Sequence, residues 1–343
     1  MMRRRAASGV LALLCLVLAA ACGSNSESGG GSGGSDSKTT TLNVGLFGAL
    51  SDAGLITAQK KGYFTAERLD VKFVPSQSAP TIISLTAAGK LDASGTSATP
   101  GLFNAISRGV KLKIAADKGK IDPTHSWTGL VVRQDLFGSG AITSVAQLKG
   151  KRIGVPDVNT ATGAELAKAL ESAGLSIKDV KLVPQNPADS FAALQSKSVD
   201  AAALQEPFIA QATAKKVGHV LLPFGTVMPG AANGIILYGE KLATNKDLSA
   251  RFLKAYLKGV ADYNAAFPTD GKKPVGRDEI VSYLVAATSV KSPELYEKMA
   301  PVLLAPDGKV DMASIDAFQQ FFKSIGSQQT IVPSSEYLLD AAK

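Results

Sequence analysis

The sequence is poor in cysteine and histidine, and this scarcity excludes several kinds of site. Cys15, Cys22, His125 and His219 are the only such residues in 343. Both cysteines precede residue 23, so the remainder of the chain has no disulfide, thiol nucleophile or cysteine-based metal site. The two histidines are far apart in the sequence, and no Walker loop, HExxH or GxSxG motif occurs. We therefore expect no enzymatic activity, no metal and no cofactor.

Long hydrophobic runs and clustered basic residues are also scarce beyond the first residues. The formal net charge is +8, and removing the three N-terminal arginines would leave +5. No Lys/Arg-rich run follows residue 21, which argues against a nucleic-acid partner. The mildly basic balance suits an anionic ligand, but a solvated surface explains it equally well. No run after residue 21 is long enough to span a membrane, so we expect the body to fold in water.

The N-terminus has the pattern of a lipoprotein signal peptide, predicted over residues 1–21. Three arginines at 3–5 precede an apolar run, Val10–Leu18, that is too short to cross a bilayer. Small residues at 19–21 then precede Cys22, the expected lipid attachment site. Leucine usually stands three places before the cysteine, whereas Ala19 stands there in this sequence. An ordinary secretory signal with an incidental cysteine is the alternative interpretation.

Residues 22–40 are predicted to form a flexible tether. From Gly23 onward this segment is almost entirely Gly, Ser and other polar residues, which cannot bury apolar surface. A tether after a lipidated cysteine would hold the body outside the cytoplasm, anchored to the cell membrane by lipid alone.

The rest of the sequence contains an internal repeat. Residues 42–116 alternate strand and helix, which is typical of βαβ units and a largely parallel sheet, and residues 151–224 repeat that order. The repeat predicts an α/β fold of two similar doubly wound lobes. The matched segments are 43–46 with 152–155, 71–75 with 180–184, and 91–93 with 199–201.

Two apolar segments flank the second repeat, and we interpret them as the two crossings of a hinge. These are Leu130–Val132 and Ile235–Leu237. The predicted first lobe is then 41–131 plus 233–343, and the second is 132–232. The last hundred residues show helical spacing of apolar residues. The expected helices are Leu248–Ala266, Arg277–Ala287, Pro293–Leu303 and Met312–Ile325.

Ligands of doubly wound sheets bind beyond the carboxyl ends of the strands, and two facing lobes make a cleft that a hinge can close. The loops expected there are 47–52, 76–80, 94–99, 156–162, 186–190 and 205–207, which are rich in Ser, Thr, Asn, Gln and Gly. The candidate ligand-binding residues are Phe47, Ser51, Gln77, Ser78, Thr96, Ser97, Trp127, Asn159, Thr160, Thr162 and Glu206.

Three of these candidates have specific alternatives. The loop at Thr160 precedes a helix, whose N-terminus binds anions, although the threonine could simply cap that helix. Trp127 could stack on a ligand or pack at the hinge. Glu206 could bind an amino group or a ring nitrogen, or could be a favourable charge on a first helical turn.

Several motifs resemble those of nitrate/sulfonate/taurine-type solute-binding proteins. The resemblance runs from about residue 42 to 340, and Arg68 departs from it, since glycine is common at that place. The motifs are Gly62-Tyr63-Phe64 followed by Leu69-Asp70-Val71, then LTAAGKLD at 85–92, LKGKRIGV at 148–155, and VDAA at 199–202 with Glu206-Pro207.

The resemblance implies a type II periplasmic-binding-protein fold and, as partners, the permease and ATPase of an ABC importer. Family members take sulfonates, taurine, nitrate or thiamine-precursor pyrimidines. We expect a monomer that binds a small anionic organic solute; the alternatives are a pyrimidine or other heteroaromatic solute, or a ligand-sensing lipoprotein. A related family makes the thiamine pyrimidine with iron and a cysteine-rich motif, which the body of this chain lacks.

Overall fold

The structure, a computed structural model, describes residues 39–76, 78–288 and 290–339. The predicted signal peptide, Cys22, most of the tether and Gln77 lie outside the described residues. Thr40, the last residue of the predicted tether, already belongs to the first strand. No helix in the described ranges is long and apolar enough to cross a membrane.

The described strands form two five-stranded mixed sheets. The first contains β1 (Thr40–Leu46), β2 (Leu69–Pro75), β3 (Ala93–Thr96), β4 (Lys113–Lys120) and β10 (Ala232–Tyr238). The second contains β5 (Thr128–Arg133), β6 (Arg152–Val155), β7 (Lys181–Pro184), β8 (Ala201–Gln205) and β9 (Gly218–Pro223).

The two sheets have the same topology. Their strand orders are β2-β1-β3-β10-β4 and β7-β6-β8-β5-β9. In the first sheet β1 is parallel to β2 and β3, and β10 runs antiparallel between β3 and β4. In the second, β6 is parallel to β7 and β8, and β5 runs antiparallel between β8 and β9. The prediction of two similar α/β lobes is confirmed.

The repeat extends to single hydrogen bonds. The carboxylate of Asp92 accepts the backbone N–H of Asn43 at 2.7 Å, and that of Asp200 accepts the backbone N–H of Arg152 at 2.9 Å. Asp92 and Asp200 occupy matching places in the repeated segments. Each aspartate binds the middle one of its sheet's three parallel strands, at Asn43 within β1 and at Arg152, the first residue of β6. The backbone pairs match as well: Val44 with Ala93 and Ile153 with Ala201, Gly45 with Val74 and Gly154 with Val183.

The hinge crossings lie elsewhere than expected. Leu130–Val132 lies inside β5 and Ile235–Leu237 inside β10, and every pairing of β5 is with strands of the second sheet. The chain passes between the sheets at residues 121–127 and 224–231, so the boundary predicted at 131/132 falls within a strand. An unbroken apolar run is what a strand buried on both faces requires, which explains the misinterpretation.

Helices cover both sheets. They are α1 (Ala53–Lys60), α2 (Tyr63–Ala66), α3 (Ala79–Ala87), α4 (Pro100–Ile106), α5 (Gln134–Gly138), α6 (Ala161–Glu171), α7 (Pro187–Gln195), α8 (Phe208–Ala214), α9 (Glu240–Ala243), α10 (Lys246–Ala266), α11 (Arg277–Ala287), α12 (Leu295–Lys298), α13 (Met312–Ser324) and α14 (Ser334–Tyr337). Short 3₁₀ turns occupy Leu50–Asp52, Val145–Leu148, Ile177–Asp179 and Phe224–Thr226.

Three of the four helices expected in the last hundred residues are present, as α10, α11 and α13. The helix expected at Pro293–Leu303 is only the single turn α12. Pro301 has no N–H and disfavours helical geometry in Ala300, so the helix cannot continue through them. The extended segment that follows pairs with β4 through Leu303 and Lys120.

The C-terminal helices touch both lobes. α10 packs on α1, where a Cβ at Gly259 would lie 2.2 Å from the carbonyl oxygen of Gly54, so glycine permits the close approach. α13 contacts α4 of the first lobe and α6 of the second. The C-terminal segment is therefore part of the wall that connects the lobes.

Candidate functional site

A cavity of about 330 Å³ lies between the two lobes. The first lobe contributes the starts of α3 and α4, the second lobe contributes the loop between β6 and α6, and the C-terminal segment contributes one residue. These segments follow the carboxyl ends of strands, where the sequence predicts the cleft. The lining residues are Pro80, Thr99, Pro100, Gly101, Asn104, Asp157, Asn159 and Ser327.

The part of the cavity wall that the second lobe contributes is a turn held by internal hydrogen bonds. Thr160 caps α6, because its Oγ1 accepts the N–H of Gly163 at 3.3 Å, and it also donates to the carbonyl of Asp157 at 2.7 Å. Asp157 Oδ1 accepts both the backbone N–H of Asn159 at 2.8 Å and its Nδ2 at 3.1 Å. The capping role of Thr160 is thus present, and half-buried Thr162 lies in the first turn of α6.

Among the described residues that line the cavity, Asn159 is the one that the sequence predicted to bind ligand. Its Oδ1 is buried and accepts no hydrogen bond in the structure. A buried acceptor without a partner costs free energy, which a ligand donor that reaches this oxygen would recover. A Cβ at Gly163 would lie 2.4 Å from the carbonyl oxygen of Val158, so the turn that orients Asn159 requires glycine there.

The predicted ligand-binding residues of the first lobe lie in different environments. Ser78 is exposed and caps α3 by accepting the N–H of Thr81 at 3.3 Å. Thr99, which the sequence did not single out, caps α4 in the same way and lines the cavity. Thr96 is 2 % exposed and its Oγ1 has no hydrogen-bond partner, whereas Ser97 and Phe47 are half-buried.

Ser51 belongs to a buried polar cluster that the sequence did not reveal. Its Oγ and Oδ1 of Asp52 both accept from the ammonium of Lys118, each at 2.8 Å. The other oxygen of Asp52 accepts the backbone N–H groups of Gly48 and Ala49. The cluster therefore fixes the loop between β1 and α1, which contains Phe47.

Trp127 lies at the first crossing, where it is 2 % exposed. Its indole N–H donates to the carbonyl of Lys120 at 2.9 Å, and its own carbonyl accepts the N–H of Glu206 at 2.9 Å. The indole also lies against Gly119, where a Cβ would be 3.3 Å from Cζ2. Trp127 therefore packs in the hinge in this structure, which was one of the two expected roles.

Glu206 connects the second lobe to the C-terminal segment. Its two carboxylate oxygens accept the backbone N–H groups of Ala210 at 3.0 Å and Ala300 at 3.1 Å. Burial raises the pKa of Glu206 to about 7, and the two backbone hydrogen bonds oppose that rise. The helix-start role considered for Glu206 is present as the hydrogen bond from Ala210 of α8, together with a link to Ala300 that no local sequence pattern predicts.

Glu165 is a second buried acid at the hinge. It is fully buried in α6, and its carboxylate accepts from Asn233 Nδ2 at 2.8 Å and from Thr128 Oγ1 at 3.2 Å. Burial raises the pKa of Glu165 to about 8. Thr128 begins β5 and Asn233 lies at the start of β10. The Glu165 side chain therefore connects α6 to the two strands that directly follow the crossings between the sheets.

Sequence relatives include binding proteins of bacteria. A protein of Brucella abortus (strain 2308), provisionally named a binding protein, is 26% identical over 290 residues, covering 82% of this chain and 84% of the relative. A Bacillus subtilis (strain 168) protein, provisionally named an aliphatic sulfonates-binding protein, is 30% identical over 224 residues, 64% of each chain.

Solved structures share the fold at low identity. The periplasmic aliphatic sulphonate binding protein SsuA from Escherichia coli matches with a TM-score of 0.67 and 20% identity, over 87% of this chain and 91% of that one. The periplasmic nitrate-binding protein NrtA from Synechocystis PCC 6803 has a TM-score of 0.63 at 15% identity, over 87% and 83%. The desulfurization enzyme DSZB matches at 0.61 and 18%, over 87% and 96%. The fold therefore occurs mostly in binding proteins among these neighbours, and also in an enzyme.

The family model described as NMT1/THI5 like matches residues 51–269. This range contains both sheets except β1, and it includes the cavity walls of both lobes. Because the match extends over more than half of the sequence, the chain belongs to the NMT1/THI5-like family.

Proposed function

We propose that this chain is an extracytoplasmic solute-binding protein that captures a small organic solute between its lobes and delivers it to the permease and ATPase of an ABC importer. The observation that carries the proposal is the cavity lined by both lobes. A solute held there contacts both lobes at once, so it favours the closed arrangement over an open one. The closed complex is then the form that a transporter can recognise.

The relatives support an anion, either an organic sulfonate or nitrate, as the first ligand class to test. The B. subtilis relative and the two binding-protein structures carry such ligands in their names. A heteroaromatic solute such as a thiamine-precursor pyrimidine is the second class. It would use the same cavity, which at about 330 Å³ has room for a ring.

Binding without turnover is part of the proposal. Within the described ranges no group of three or more His, Cys, Asp or Glu side chains could hold a metal ion. Among the described residues, the cavity is lined by one ionisable side chain, Asp157, and by no lysine, arginine or histidine. A solute recovered chemically unchanged after long incubation with the protein would agree with a binding role, and a changed mass would contradict it.

The direct test is native mass spectrometry of the full chain with sulfonates, nitrate, taurine and aminopyrimidines, followed by a thermal-shift titration. A solute that binds only the folded state raises the melting temperature, and the rise continues with the logarithm of the free solute concentration above Kd. Gly101→Phe should abolish the shift because Gly101 lines the cavity and a phenylalanine side chain would occupy that space, whereas Ser107→Phe, on exposed surface at the end of α4, should not. A shift that survives Gly101→Phe would place the solute elsewhere.

Lipid anchoring through Cys22 is a separate proposal that rests on the sequence. Cells fed labelled palmitate should incorporate it into the wild-type chain and into Cys15→Ser, but not into Cys22→Ser. Label retained in Cys22→Ser would instead favour an ordinary secretory signal. Whether the protein then serves import or ligand sensing is decided by which membrane protein it binds when loaded with solute.

A further inference from the structure

The charge in the interlobe cavity is negative. Asp157 is the only ionisable residue among the described residues that line it, and neither lysine nor arginine is present there. Its carboxylate lies in the turn before α6, so it opposes the partial positive charge of that helix N-terminus. An anion placed at this turn would meet a like charge.

The same turn has more hydrogen-bond acceptors than donors left without a partner. Asp157 Oδ1 is occupied by the two N–H donors of Asn159, while Oδ2 receives no hydrogen bond from any described residue. Donation from Asn159 Nδ2 to Asp157 also sets the orientation of that amide, so its Oδ1 is the acceptor left buried and unpaired. Asp157 and Asn159, two positions apart in one turn of the cavity wall, therefore each have an acceptor that lacks a protein donor.

We propose that the solute carries an amino group whose N–H donors bind Oδ2 of Asp157 and Oδ1 of Asn159. The proposal rests on the proposed function and names the chemistry that selects the solute at that site. An ammonium or ring-bound amine supplies two or more donors from one nitrogen, which matches two acceptors on one turn. Any acidic group of the same solute would lie away from Asp157, toward the uncharged first-lobe wall at Thr99 and Asn104.

The experiment uses pairs of solutes that differ only by an amino group. The probes are 2-aminoethanesulfonate against ethanesulfonate, and 4-amino-2-methylpyrimidine against 2-methylpyrimidine, each titrated into the full chain by calorimetry. An amino member should bind roughly 10- to 100-fold more tightly than its partner, since a charge-assisted hydrogen bond contributes about 1.5–3 kcal/mol.

Two substitutions test whether the preference for an amino group arises at this turn. Asp157→Asn should weaken binding of the amino member, and so reduce its preference roughly tenfold or more. The affinity of ethanesulfonate should not fall, because the variant removes a like charge from the cavity. Asn159→Ala is the second variant, so the test survives if either protein folds poorly. The matched control is Asp189→Asn, because Asp189 also accepts from a neighbouring amide, Asn186 Nδ2 at 2.7 Å, but does not line the cavity.

The outcomes separate the two proposals. Equal or tighter binding of the members without an amino group overturns the inference and leaves solute binding intact. An amino preference that persists in both Asp157→Asn and Asn159→Ala overturns the assignment to this turn. If no member of either pair binds and native mass spectrometry finds no solute at all, the proposed function fails and the inference fails with it.

Discussion

Lys118 and Asp52 form an ion pair of 2.8 Å in which the two side chains are only 2 % and 0 % exposed. The lysine lies across the face of the first sheet, where Cβ atoms at Gly95 and Gly234 would be 2.8 Å from its Cδ and 3.3 Å from its Cε. Two glycines thus make the space through which a lysine on β4 reaches the start of α1. The pair determines where the loop between β1 and α1 lies relative to the cleft.

Replacing Lys118 by methionine should destabilise the protein strongly. The carboxylate of Asp52 would remain buried without its cation, and breaking a buried pair in this way costs about 3–5 kcal/mol. The free energy of unfolding in urea measures the loss. Lys111→Met is the control, since Lys111 and Glu240 are both exposed and such pairs contribute about 0–1 kcal/mol. Equal losses in the two variants would show that Lys118 has no special role.

Substituting Gly95 by alanine should also be destabilising. The added Cβ would lie 2.7 Å from Asp52 Oδ1, so the ion pair or the strand must shift, at a cost of about 1–3 kcal/mol. Gly138→Ala is the matched change, because nothing lies within 4 Å of a Cβ there and the residue ends α5. That change should be neutral or stabilising by up to about 1 kcal/mol. A stable Gly95→Ala variant would mean that the pair is not held rigidly.

The sequence predicted the fold better than the site. The repeat was visible because strand alternation and Asp92 with Asp200 recur at nearly equal spacing, and these features are local. Leu130–Val132 was misinterpreted as a crossing because an apolar run looks the same whether it bridges two sheets or lies in the middle of one. Distinguishing the two requires pairing partners some 70 residues away, such as Ala201–Gln205.

The buried charges could not be found from the sequence. Lys118 lies in Asp117-Lys118-Gly119-Lys120, which looks like a polar loop although it ends a buried strand. Glu165 lies in a helix with alanines and leucines on all sides, and its burial depends on Asn233, 68 positions later. Whether a charged residue can be buried depends on such distant partners, whereas the local sequence pattern shows only that the residue is polar. The cap at Thr160, by contrast, depends on neighbouring residues and was predicted from the sequence.

Stability should fall as the pH rises from about 5 to about 8. Burial raises the pKa of Glu165 to about 8 and those of Glu206 and Asp117 to about 7, from 4.5, 4.5 and 3.8. The folded state therefore binds these protons more tightly than the unfolded chain. The stabilisation is complete below the unfolded values and is lost as the pH passes through the folded ones. Urea midpoints across this range measure the effect.

Glu165→Gln should flatten that pH dependence. Glutamine cannot ionise, and it can still accept from Asn233 and donate to Thr128. Glu171→Gln, at the exposed end of the same helix, should keep the wild-type slope. If Glu165→Gln also keeps it, the pH dependence has another source.

Trp127 should report binding by its fluorescence. It is the single tryptophan of the chain and packs at the crossing between the lobes, with its N–H bonded to Lys120 and its carbonyl to Glu206. A solute that changes the lobe arrangement alters this environment, so the emission maximum should shift in titrations that also raise the melting temperature. Binding without any change in emission would mean that the crossing does not move.

The position of β10 in the sequence limits the order in which the two sheets can form. All five strands of the second sheet lie in one uninterrupted stretch, 128–223, whereas the first sheet needs β10, which follows that stretch, to join β3 to β4. As the polypeptide becomes available from its N-terminus, the second sheet can close while the first still has an empty place in its middle. A chain that stops at Pro223 should contain one finished sheet and one open one. The cleft, which needs both, is assembled only after residue 238 has arrived.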